Sequence, residues 1–338
     1  MKQLTIIIPT FNRNELLAEN LRLLLPQLTP QCHLFIADNC CDTPVERTLQ
    51  PLLEEFPGIS VEIRRNRVNI GATPNLLRGV EECQTPFLWI LGDDDPVRPD
   101  AVQIISRHLE EHPECLYFNF GCGSYAGFAG RDHTFFTKGL RQFARHVDSI
   151  ANVFYLSGGV HRTEMWRANL RMAYGYAHTN QANVVPLLAG LGTDGVCCFS
   201  KEQIVTHMLP FDASQAWSFV QFSLGIMGLL ELPMNPPMEP RVRRVLARKI
   251  EASLPRLKHL ALQLLLMSLR EEHTDSALFL YDQMCYRLYY FERSPRQRLE
   301  ILLYRWMLRF PRLSYFAYKF LRGVPMDFWS TPRRFQRM

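Results

Sequence analysis

Several familiar sequence signatures are missing from this chain of 338 residues. Its nine cysteines are odd in number and contain no C-x-x-C pair, which excludes a complete disulfide framework and argues against a zinc site. No apolar run approaches the ~18 residues that a membrane span needs. The segment from Met1 to Pro9 also lacks the length and the small-residue cleavage site of a signal peptide. We therefore expect a reduced, cytoplasmic protein that is soluble or peripheral rather than integral.

Glycine-rich phosphate loops are absent too. No G-x-G-x-x-G follows the first apolar run, and the P-loop pattern does not occur anywhere. A dinucleotide-binding site of the Rossmann type and a P-loop nucleotide site are thereby excluded.

The charge is divided unevenly along the chain. The net charge is only +5, but residues 241–338 contain 20 Lys and Arg against 8 Asp and Glu, whereas residues 1–240 contain 18 against 25. The acidic part suits a divalent cation, and the basic, aromatic-rich part suits an anionic surface. With 47% hydrophobic residues, the chain has enough apolar side chains for one large or two ordinary domains.

Short apolar runs alternate with helical patterns over the first 120 residues. Strands are predicted at 4–8, 33–37, 60–64, 87–91 and 115–120, and helices at 15–28, 44–55, 75–83 and 99–111. This alternation predicts an α/β fold with a mostly parallel sheet between helices. The segment 121–143 is predicted as a loop, and 157–162 as a strand that leads into a helix at 164–170. Beyond Asp212 the pattern is all-helical, with helices predicted at 214–232, 239–254, 257–269, 276–291 and 296–310. We therefore predict a catalytic domain at 1–212 and a basic helical region at 213–338.

Polar residues follow the predicted strands, where ligands bind in such sheets. These segments are Pro9 to Arg13, Asp38 to Asp42, Asn66 to Gly71, and Gly92 to Asp95. The last contains three consecutive aspartates, whose mutual repulsion a cation would relieve. Hard carboxylate oxygens are ligands of Mg²⁺ or Mn²⁺. The alternative is a solvated acidic turn.

These segments together resemble family 2 glycosyltransferases, which have a nucleotide-sugar-binding fold of the GT-A type. L-T-I-I-I-P-T-F-N-R, at 4–13, is similar to the family's opening strand and loop. Asp38 to Asp42 is similar to its acidic motif after the second strand. Asn69-Ile70-Gly71 with Asn75 resembles its N-x-G segment, and Trp89 to Asp95 with Pro99-Asp100 resembles its metal-binding D-x-D segment.

The resemblance implies roles for individual residues. The nucleotide-binding set consists of Pro9, Thr10, Asn12, Arg13, Asp38, Asn69, Gly71, Asn75 and Asp93. Within it, Thr10 and Asn12 would shape the pocket, Arg13 would lie near a phosphate, and Asp38 would contact base or ribose. Asp93, Asp94 and Asp95 would hold the metal, although Gly92 stands where many members have the first aspartate.

The general base is not evident from the sequence. The family usually has an acidic pair between the positions of Arg162 and Asp194, and none occurs here. Glu164, His178 and Asp194 are the candidates, of which His178 precedes an apolar helix where the base motif would fall. The alternatives are a structural histidine, a turn aspartate and an exposed glutamate in a first helical turn. His207 is a further candidate, as a late metal ligand.

From Arg287 to Arg322, arginine is interleaved with leucine and aromatic residues. A basic amphipathic helix of this kind is typical of a segment that binds anionic lipid. Packing of the aromatic side chains on the protein core is the open alternative. No nucleic-acid-binding motif accompanies the charge, so no nucleic acid is expected as a partner.

Taken with the resemblance, these features predict an inverting, Mg²⁺- or Mn²⁺-dependent glycosyltransferase. It would move a sugar from a nucleotide diphosphate sugar, with a UDP-sugar placed first, to a saccharide or lipid-linked acceptor in bacterial surface-polysaccharide synthesis. Such an enzyme would lie in the cytoplasm or on the inner face of the membrane. Two alternatives remain: a sugar-1-phosphate nucleotidylyltransferase, and a degenerate relative that acts as a partner subunit.

Overall fold

The computed structural model of the chain describes residues 2–123, 128–179, 181–206, 225–226, 228–253, 261–262, 264–266, 268–269, 274–288 and 294–322. The chain divides into two compact units, Met1–Leu209 with Leu232–Pro237 and Pro210–Glu231 with Met238–Met338. The domain boundary predicted at 212/213 lies outside the described residues and stays a prediction.

The first unit is built on one eight-stranded sheet. Its strands are β1 (Leu4–Thr10), β2 (Cys32–Asp38), β3 (Val61–Arg65), β4 (Phe87–Ile90), β5 (Cys115–Asn119), β6 (Phe135–Lys138), β7 (Gly159–Arg162) and β8 (Val196–Phe199). They lie in the order β3-β2-β1-β4-β7-β5-β8-β6. β6 and β7 run antiparallel to the other six. The predicted α/β fold with a mostly parallel sheet is confirmed.

Helices cover both faces of this sheet. They are α1 (Asn14–Leu24), α2 (Val45–Glu54), α3 (Ala72–Glu82), α4 (Ala101–Glu111), α5 (Gly139–His146), α6 (Ile150–Phe154), α7 (Thr163–Gly175) and α8 (Val185–Gly190). Leu17 of α1, Leu49 of α2 and Ile105 of α4 pack in one core cluster with the face of β1 that carries Ile6 and Ile8. α3 lies against the other face, where a Cβ on Gly79 would come 2.6 Å from Cγ2 of Ile7. α7 contacts α3.

One sequence-based prediction in this unit is wrong. The segment predicted as a loop at 121–143 contains β6 and the start of α5. β6 is only four residues long and pairs antiparallel with β8, and the ring of Phe135 stacks on that of Phe199 at 4.8 Å. Its partner strand β8 was not predicted either, because neither strand is long enough to show a clear alternation of apolar and polar residues.

The described residues of the second unit are helical. The long helices are α9 (Pro240–Ser253), α10 (Thr274–Leu288), α11 (Pro295–Arg309) and α12 (Pro311–Arg322). The predicted helices at 239–254, 276–291 and 296–310 are therefore confirmed within a few residues, whereas those at 214–232 and 257–269 fall largely outside the described residues. Ser294 caps α11 through a capping box with Gln297, and Pro311 begins α12. Where the chain is described, none of its helices is long and apolar enough to cross a membrane.

Candidate active site

The parallel strands carry the polar loops to one edge of the sheet. Thr10, the last residue of β1, is level with Asp38, the last residue of β2. The backbone amide of Leu91, directly after β4, donates a hydrogen bond to the carbonyl oxygen of Ile7 in β1. The segment Pro9 to Arg13 and the acidic segment Gly92 to Asp95 therefore meet at the carboxyl edge of neighbouring strands.

Asp93 and Asp94 contact two residues of the first loop. The hydroxyl of Thr10 donates a hydrogen bond to Oδ2 of Asp93 at 2.7 Å. One guanidinium nitrogen of Arg13 lies 3.1 Å from Oδ1 of Asp93 and 2.9 Å from Oδ2 of Asp94. Arg13 thus bridges the two carboxylates and neutralises part of their charge, although 80 residues separate it from Asp93.

The two carboxylates differ in their surroundings. Asp93 is buried, whereas the side chain of Asp94 is 37% exposed. Burial raises the pKa of Asp93 to about 6, against the opposing effects of the Arg13 charge and the Thr10 hydroxyl. Asp94 is therefore the carboxylate of the pair that solvent and ligands can reach most directly.

Asp95 has a different hydrogen-bond partner from its two neighbours. Its Oδ2 accepts a hydrogen bond of 2.6 Å from the hydroxyl of Ser157, and the same hydroxyl accepts one from the amide of Gly92 at 2.8 Å. A Cβ on Gly92 would lie 2.6 Å from Oδ2 of Asp95. The turned-in Asp95 thus gives a physical reason for glycine at position 92, where the family commonly has aspartate. In this arrangement Asp95 organises the turn, and its predicted role as a metal ligand stays a prediction.

Asn12 connects the first loop to the second. It has a left-handed backbone conformation with φ of 53°. Its side-chain amide donates to Asp42 at 3.0 Å, and its side-chain oxygen accepts from the backbone amide of Asp42 at 2.7 Å. This reciprocal pair holds the first loop, which carries Thr10 and Arg13, against the second.

Asp38 is occupied by contacts within the protein. One carboxylate oxygen accepts from the amide of Cys41, and the other accepts from the amide of Val45 and from Arg65 at 2.8 Å. Burial by itself would raise the pKa of Asp38, but these donors bring it below the usual aspartate value. Asp38 is 1% exposed. The structure therefore shows it holding the loop and the start of α2, and its predicted contact with base or ribose stays a prediction.

A cluster of asparagines supports the third loop. The side chain of Asn39 donates to Asn69 and accepts from Asn66, while Asn66 also donates to Asn75. Asn75 donates in turn to the carbonyl oxygen of Ala37 in β2. The side chains of Asn69 and Asn75 are engaged in this network. Their predicted role in nucleotide binding, together with Gly71, stays a prediction.

The candidates for the general base lie in different places. β7 runs antiparallel to β4, so Glu164, two residues beyond its end, lies at the amino edge of the sheet. Asp194 precedes β8, whose start pairs with the start of β5, and also lies at the amino edge. Neither is brought near Asp93. This separation counts against a catalytic role for Glu164 and Asp194. The acidic segment lies at the carboxyl edge of the sheet, so the length of the strands separates it from both residues.

His178 lies at the opposite end of α7, on the carboxyl edge. The hydroxyl of Thr73 in the first turn of α3 donates to the carbonyl oxygen of Thr179 at 3.1 Å, which fixes this turn beside the third loop. His178 is exposed, and its ring stacks with that of Tyr176 at 6.4 Å. His207, predicted as a late metal ligand, lies outside the described residues.

Three residues at this edge were not among the predicted site residues. Ser157 supports Asp95, the buried indole of Trp89 donates to the backbone oxygen of Ser157 at 2.9 Å, and Phe11 is 41% exposed on the first loop. The sequence predicts Ser157 only as the first residue of a strand at 157–162. An aromatic residue directly after a buried strand is the signal that points to Phe11.

The acidic pair fits a divalent metal of the hard-oxygen class. Among the residues that the structure describes, no group of three or more His, Cys, Asp or Glu could enclose a metal ion. Mg²⁺, however, is commonly bound by only one or two carboxylates together with substrate phosphates. Asp93 and Asp94 offer that donor set, and Arg13 already shows that a cation is favourable between them.

Comparison with known proteins agrees with this geometry. Residues 5–171, which run from β1 into α7, match the family model described as Glycosyl transferase family 2. These residues form a glycosyl transferase family 2 domain. This match confirms the resemblance found in the sequence and disagrees with the nucleotidylyltransferase alternative.

Two curated relatives align with part of the chain. Abequosyltransferase RfbV of Salmonella typhimurium is 25% identical over 208 residues, 57% of this chain and 62% of that protein. An uncharacterized glycosyltransferase of Haemophilus influenzae is 28% identical over 110 residues, 32% of this chain and 35% of that protein. The chain therefore spans less than two thirds of the length of either relative.

Solved structures share the fold of this chain. S. aureus TarS 1-349 in complex with UDP-GlcNAc superposes with a TM-score of 0.64 at 13% identity, over 95% of this chain and 92% of that one. The mannosyltransferase PcManGT from Pyrobaculum calidifontis, in complex with GDP-Man and Mn²⁺, gives a TM-score of 0.52 at 10% identity, over 98% and 88% of the two chains. At these identities the likeness establishes the GT-A type of fold.

Proposed function

We propose that this protein transfers a sugar from a nucleoside diphosphate sugar to an acceptor hydroxyl, with inversion at the anomeric carbon and with help from Mg²⁺ or Mn²⁺. One observation carries the proposal. Thr10 and Arg13 from the end of β1 converge on Asp93 and Asp94 from the end of β4, at the ligand-binding edge of a parallel sheet.

The first loop would bind the nucleotide. Phe11 offers an exposed ring on which a base can stack, and Asn12 holds the loop against Asp42. A UDP-sugar is the first choice of donor because the structural neighbour TarS was crystallised with UDP-GlcNAc. The other neighbour holds GDP-Man, so the choice of base is a matter for experiment.

Asp93 and Asp94 would hold the metal, with the diphosphate completing its coordination. A bound divalent cation stabilises the negative charge that develops on the leaving diphosphate. In the structure Arg13 occupies the space between the two carboxylates. We infer that Arg13 turns from the carboxylates towards the diphosphate when donor and metal bind, so that each anionic group keeps a positive partner.

The acceptor hydroxyl would attack the anomeric carbon from the face opposite the diphosphate. The bond from that carbon to the diphosphate oxygen breaks, and the hydroxyl proton passes to a general base. His178 is the proposed base, because it is the one of the three predicted candidates that lies on the carboxyl edge. An imidazole can take up a proton near neutral pH.

The acceptor would be a lipid-linked or oligosaccharide intermediate of a bacterial surface polysaccharide. The support is the partial alignment with an abequosyltransferase, together with the sequence resemblance described above. The peripheral location on the inner membrane face belongs to the same proposal.

Metal-dependent binding of UDP tests the site. Asp94→Asn keeps the size of the side chain and removes its charge, so Mn²⁺ should no longer strengthen UDP binding in isothermal titration. Asp100→Asn is the matched control, since Asp100 is an exposed aspartate just before α4. Slow Mn²⁺-dependent hydrolysis of a UDP-sugar by the wild-type protein would support the enzyme over the partner-subunit alternative. Equal metal dependence in wild type and Asp94→Asn would overturn the assignment of the metal site.

A further inference from the structure

Helix α11 has two apolar faces, and only one of them is packed. Ile301 and Leu308 are 8% and 1% exposed and form the packed seam. At 100° per residue the opposite side of the helix carries Leu299, Leu302, Leu303 and Trp306, and the exposed apolar residues Phe310, Leu313 and Phe316 follow at its end and on α12. We define the apolar stripe as Leu299, Leu302, Leu303, Trp306, Phe310, Leu313 and Phe316, whose exposed fractions lie between 48% and 69%.

The described residues of the second unit leave this stripe exposed. Scattered exposed leucines are normal on a protein surface, but the stripe places several large apolar side chains on one side of α11. The buried seam already holds α11 in place, and the hydroxyl of Tyr281 on α10 donates to the backbone oxygen of Ile301 at 3.0 Å. Among the residues that the structure describes, the stripe is therefore free to contact a partner.

Cationic side chains border the stripe. Arg298, Arg305 and Arg309 follow one another at spacings of seven and four, so they share one flank of α11. From Pro295 to Arg322 the chain has seven Lys and Arg and one acidic residue, Glu300. Arg305 forms an ion pair with Asp282 of α10, while Arg298, Arg309 and Arg312 are exposed.

The stripe could contact either a second copy of the chain or an anionic membrane surface, and the positive charge beside the stripe favours the membrane. If a second copy of the chain covered the stripe through a twofold contact, the excess arginines of both copies would be brought together, which is unfavourable. An anionic lipid surface instead offers acyl chains to the apolar side chains and phosphates to the arginines. Tryptophan and arginine side chains are also suited to the boundary between water and lipid.

We propose that the apolar stripe of α11 and α12 lies in the plane of an anionic membrane surface, with the aromatic and leucine side chains among the acyl chains and the arginines at the headgroups. The proposal rests on the proposed function in one respect: binding to the membrane would bring the enzyme to a lipid-linked acceptor. The surface itself involves none of the residues of the candidate active site.

Vesicle sedimentation tests this surface. The wild-type protein should sediment with vesicles of phosphatidylcholine and phosphatidylglycerol, and much less with phosphatidylcholine alone. Binding should fall as salt is raised, because exposed charges are screened over ~8 Å at physiological ionic strength. The double variant Leu302→Ser, Trp306→Ser should bind at least about tenfold more weakly, since it removes two side chains from the acyl region. Arg298→Gln with Arg309→Gln should reduce the preference for anionic vesicles.

The matched control is Leu23→Ser with Phe136→Ser, which replaces two exposed apolar residues outside the stripe. All variants should keep the circular dichroism and the Mn²⁺-dependent UDP binding of the wild type. Equal sedimentation of wild type and the stripe variant would overturn the proposal. So would a dimer in analytical ultracentrifugation that the stripe variant abolishes while vesicle binding stays absent. Vesicle binding in a protein that binds no nucleotide would instead contradict the proposed function and leave this surface standing.

Discussion

The burial of Asp93 lowers the stability of the folded protein at neutral pH, and the same residue belongs to the proposed metal site. Its carboxyl group is buried, and burial raises its pKa to about 6 even though Arg13 and Thr10 favour the charged form. In the unfolded chain the same group would ionise near pH 3.9. Folding therefore opposes the ionisation of Asp93, and the stability present at low pH is lost as the pH rises from about 4 to about 6.

We predict that Asp93→Asn stabilises the protein at pH 7.5 by on the order of 1 to 3 kcal/mol and changes little at pH 4, because asparagine has no charge to bury. The change should also remove the effect of Mn²⁺ on UDP binding. Thermal unfolding of the variant and the wild type between pH 4 and 8 measures the first effect. Asp100→Asn, at an exposed position, should show no such pH-dependent gain. A destabilised variant at pH 7.5 would show that the Arg13 pair outweighs the cost of burial.

His178 is the residue on which the proposed reaction depends most. We predict that His178→Ala reduces sugar transfer by roughly 10² to 10⁴-fold, which is the usual contribution of a general base. Donor binding should be unchanged, because neither Asp93 nor Arg13 contacts His178 in the hydrogen bonds that the structure shows for them. Single-turnover transfer and UDP titration separate the two effects. His146→Ala, at an exposed position at the end of α5, is the control. Normal transfer in His178→Ala would return attention to a base outside the three candidates.

At the scale of elements, the position of α3 depends on one glycine. A Cβ on Gly79 would lie 2.6 Å from Cγ2 of Ile7 and 3.5 Å from the ring of Phe35, so helix and sheet are in direct contact there. α3 begins beside the third loop of the cleft, and its first turn contacts the backbone that follows His178. The close approach at Gly79 therefore helps to set where the cleft residues lie.

We predict that Gly79→Ala destabilises the protein by about 1 to 3 kcal/mol, because overpacking outweighs the gain of about 1 kcal/mol in helix propensity. Gly175→Ala is the matched control, since a Cβ at the last residue of α7 would meet no atom within 4 Å. Urea denaturation of both variants measures the difference. If Gly79→Ala were as stable as Gly175→Ala, the packing of α3 on β1 would be looser than the 2.6 Å approach at Gly79 indicates.

Most elements of the first unit could be predicted from the sequence, but β6 and β8 could not. β1 and β4 are compact apolar runs, and the acidic segment after β4 was recognisable because ligands bind at strand ends. β6 depends on its pairing with β8, which no local pattern reveals. The structural role of Asp38 also depends on tertiary contacts, namely the hydrogen bonds that it accepts from Arg65 and from the amide of Val45. Glu164 lies at the amino edge of the sheet because β7 runs antiparallel to β4. The direction of β7 could not be predicted from the sequence.

At the scale of the whole molecule, charge and chemistry are divided between the two units. The acidic cluster lies in the first unit, whereas the last 98 residues carry an excess of twelve positive charges. The bound donor would bring a further anionic group to Arg13 and to the metal site, and its binding would be coupled to the stability of the first unit. A ligand that binds only the folded state raises stability by about 2.7 kcal/mol at one hundred times its dissociation constant.

We predict that UDP together with Mn²⁺ raises the midpoint of thermal unfolding by several degrees, because the proposed site needs both the diphosphate and the metal. UDP alone and Mn²⁺ alone should each have a smaller effect, since neither supplies the other half of the coordination. The same unfolding midpoint is measured with GDP, dTDP and CMP at equal concentration, each with Mn²⁺. The comparison shows which base the site prefers and whether it prefers two phosphates to one. Asp94→Asn should lose the part of the shift that depends on the metal and keep any part due to the nucleotide alone. A larger shift with GDP than with UDP would replace UDP as the proposed donor nucleotide, whereas no shift with any of the four would contradict a nucleotide site at this edge of the sheet.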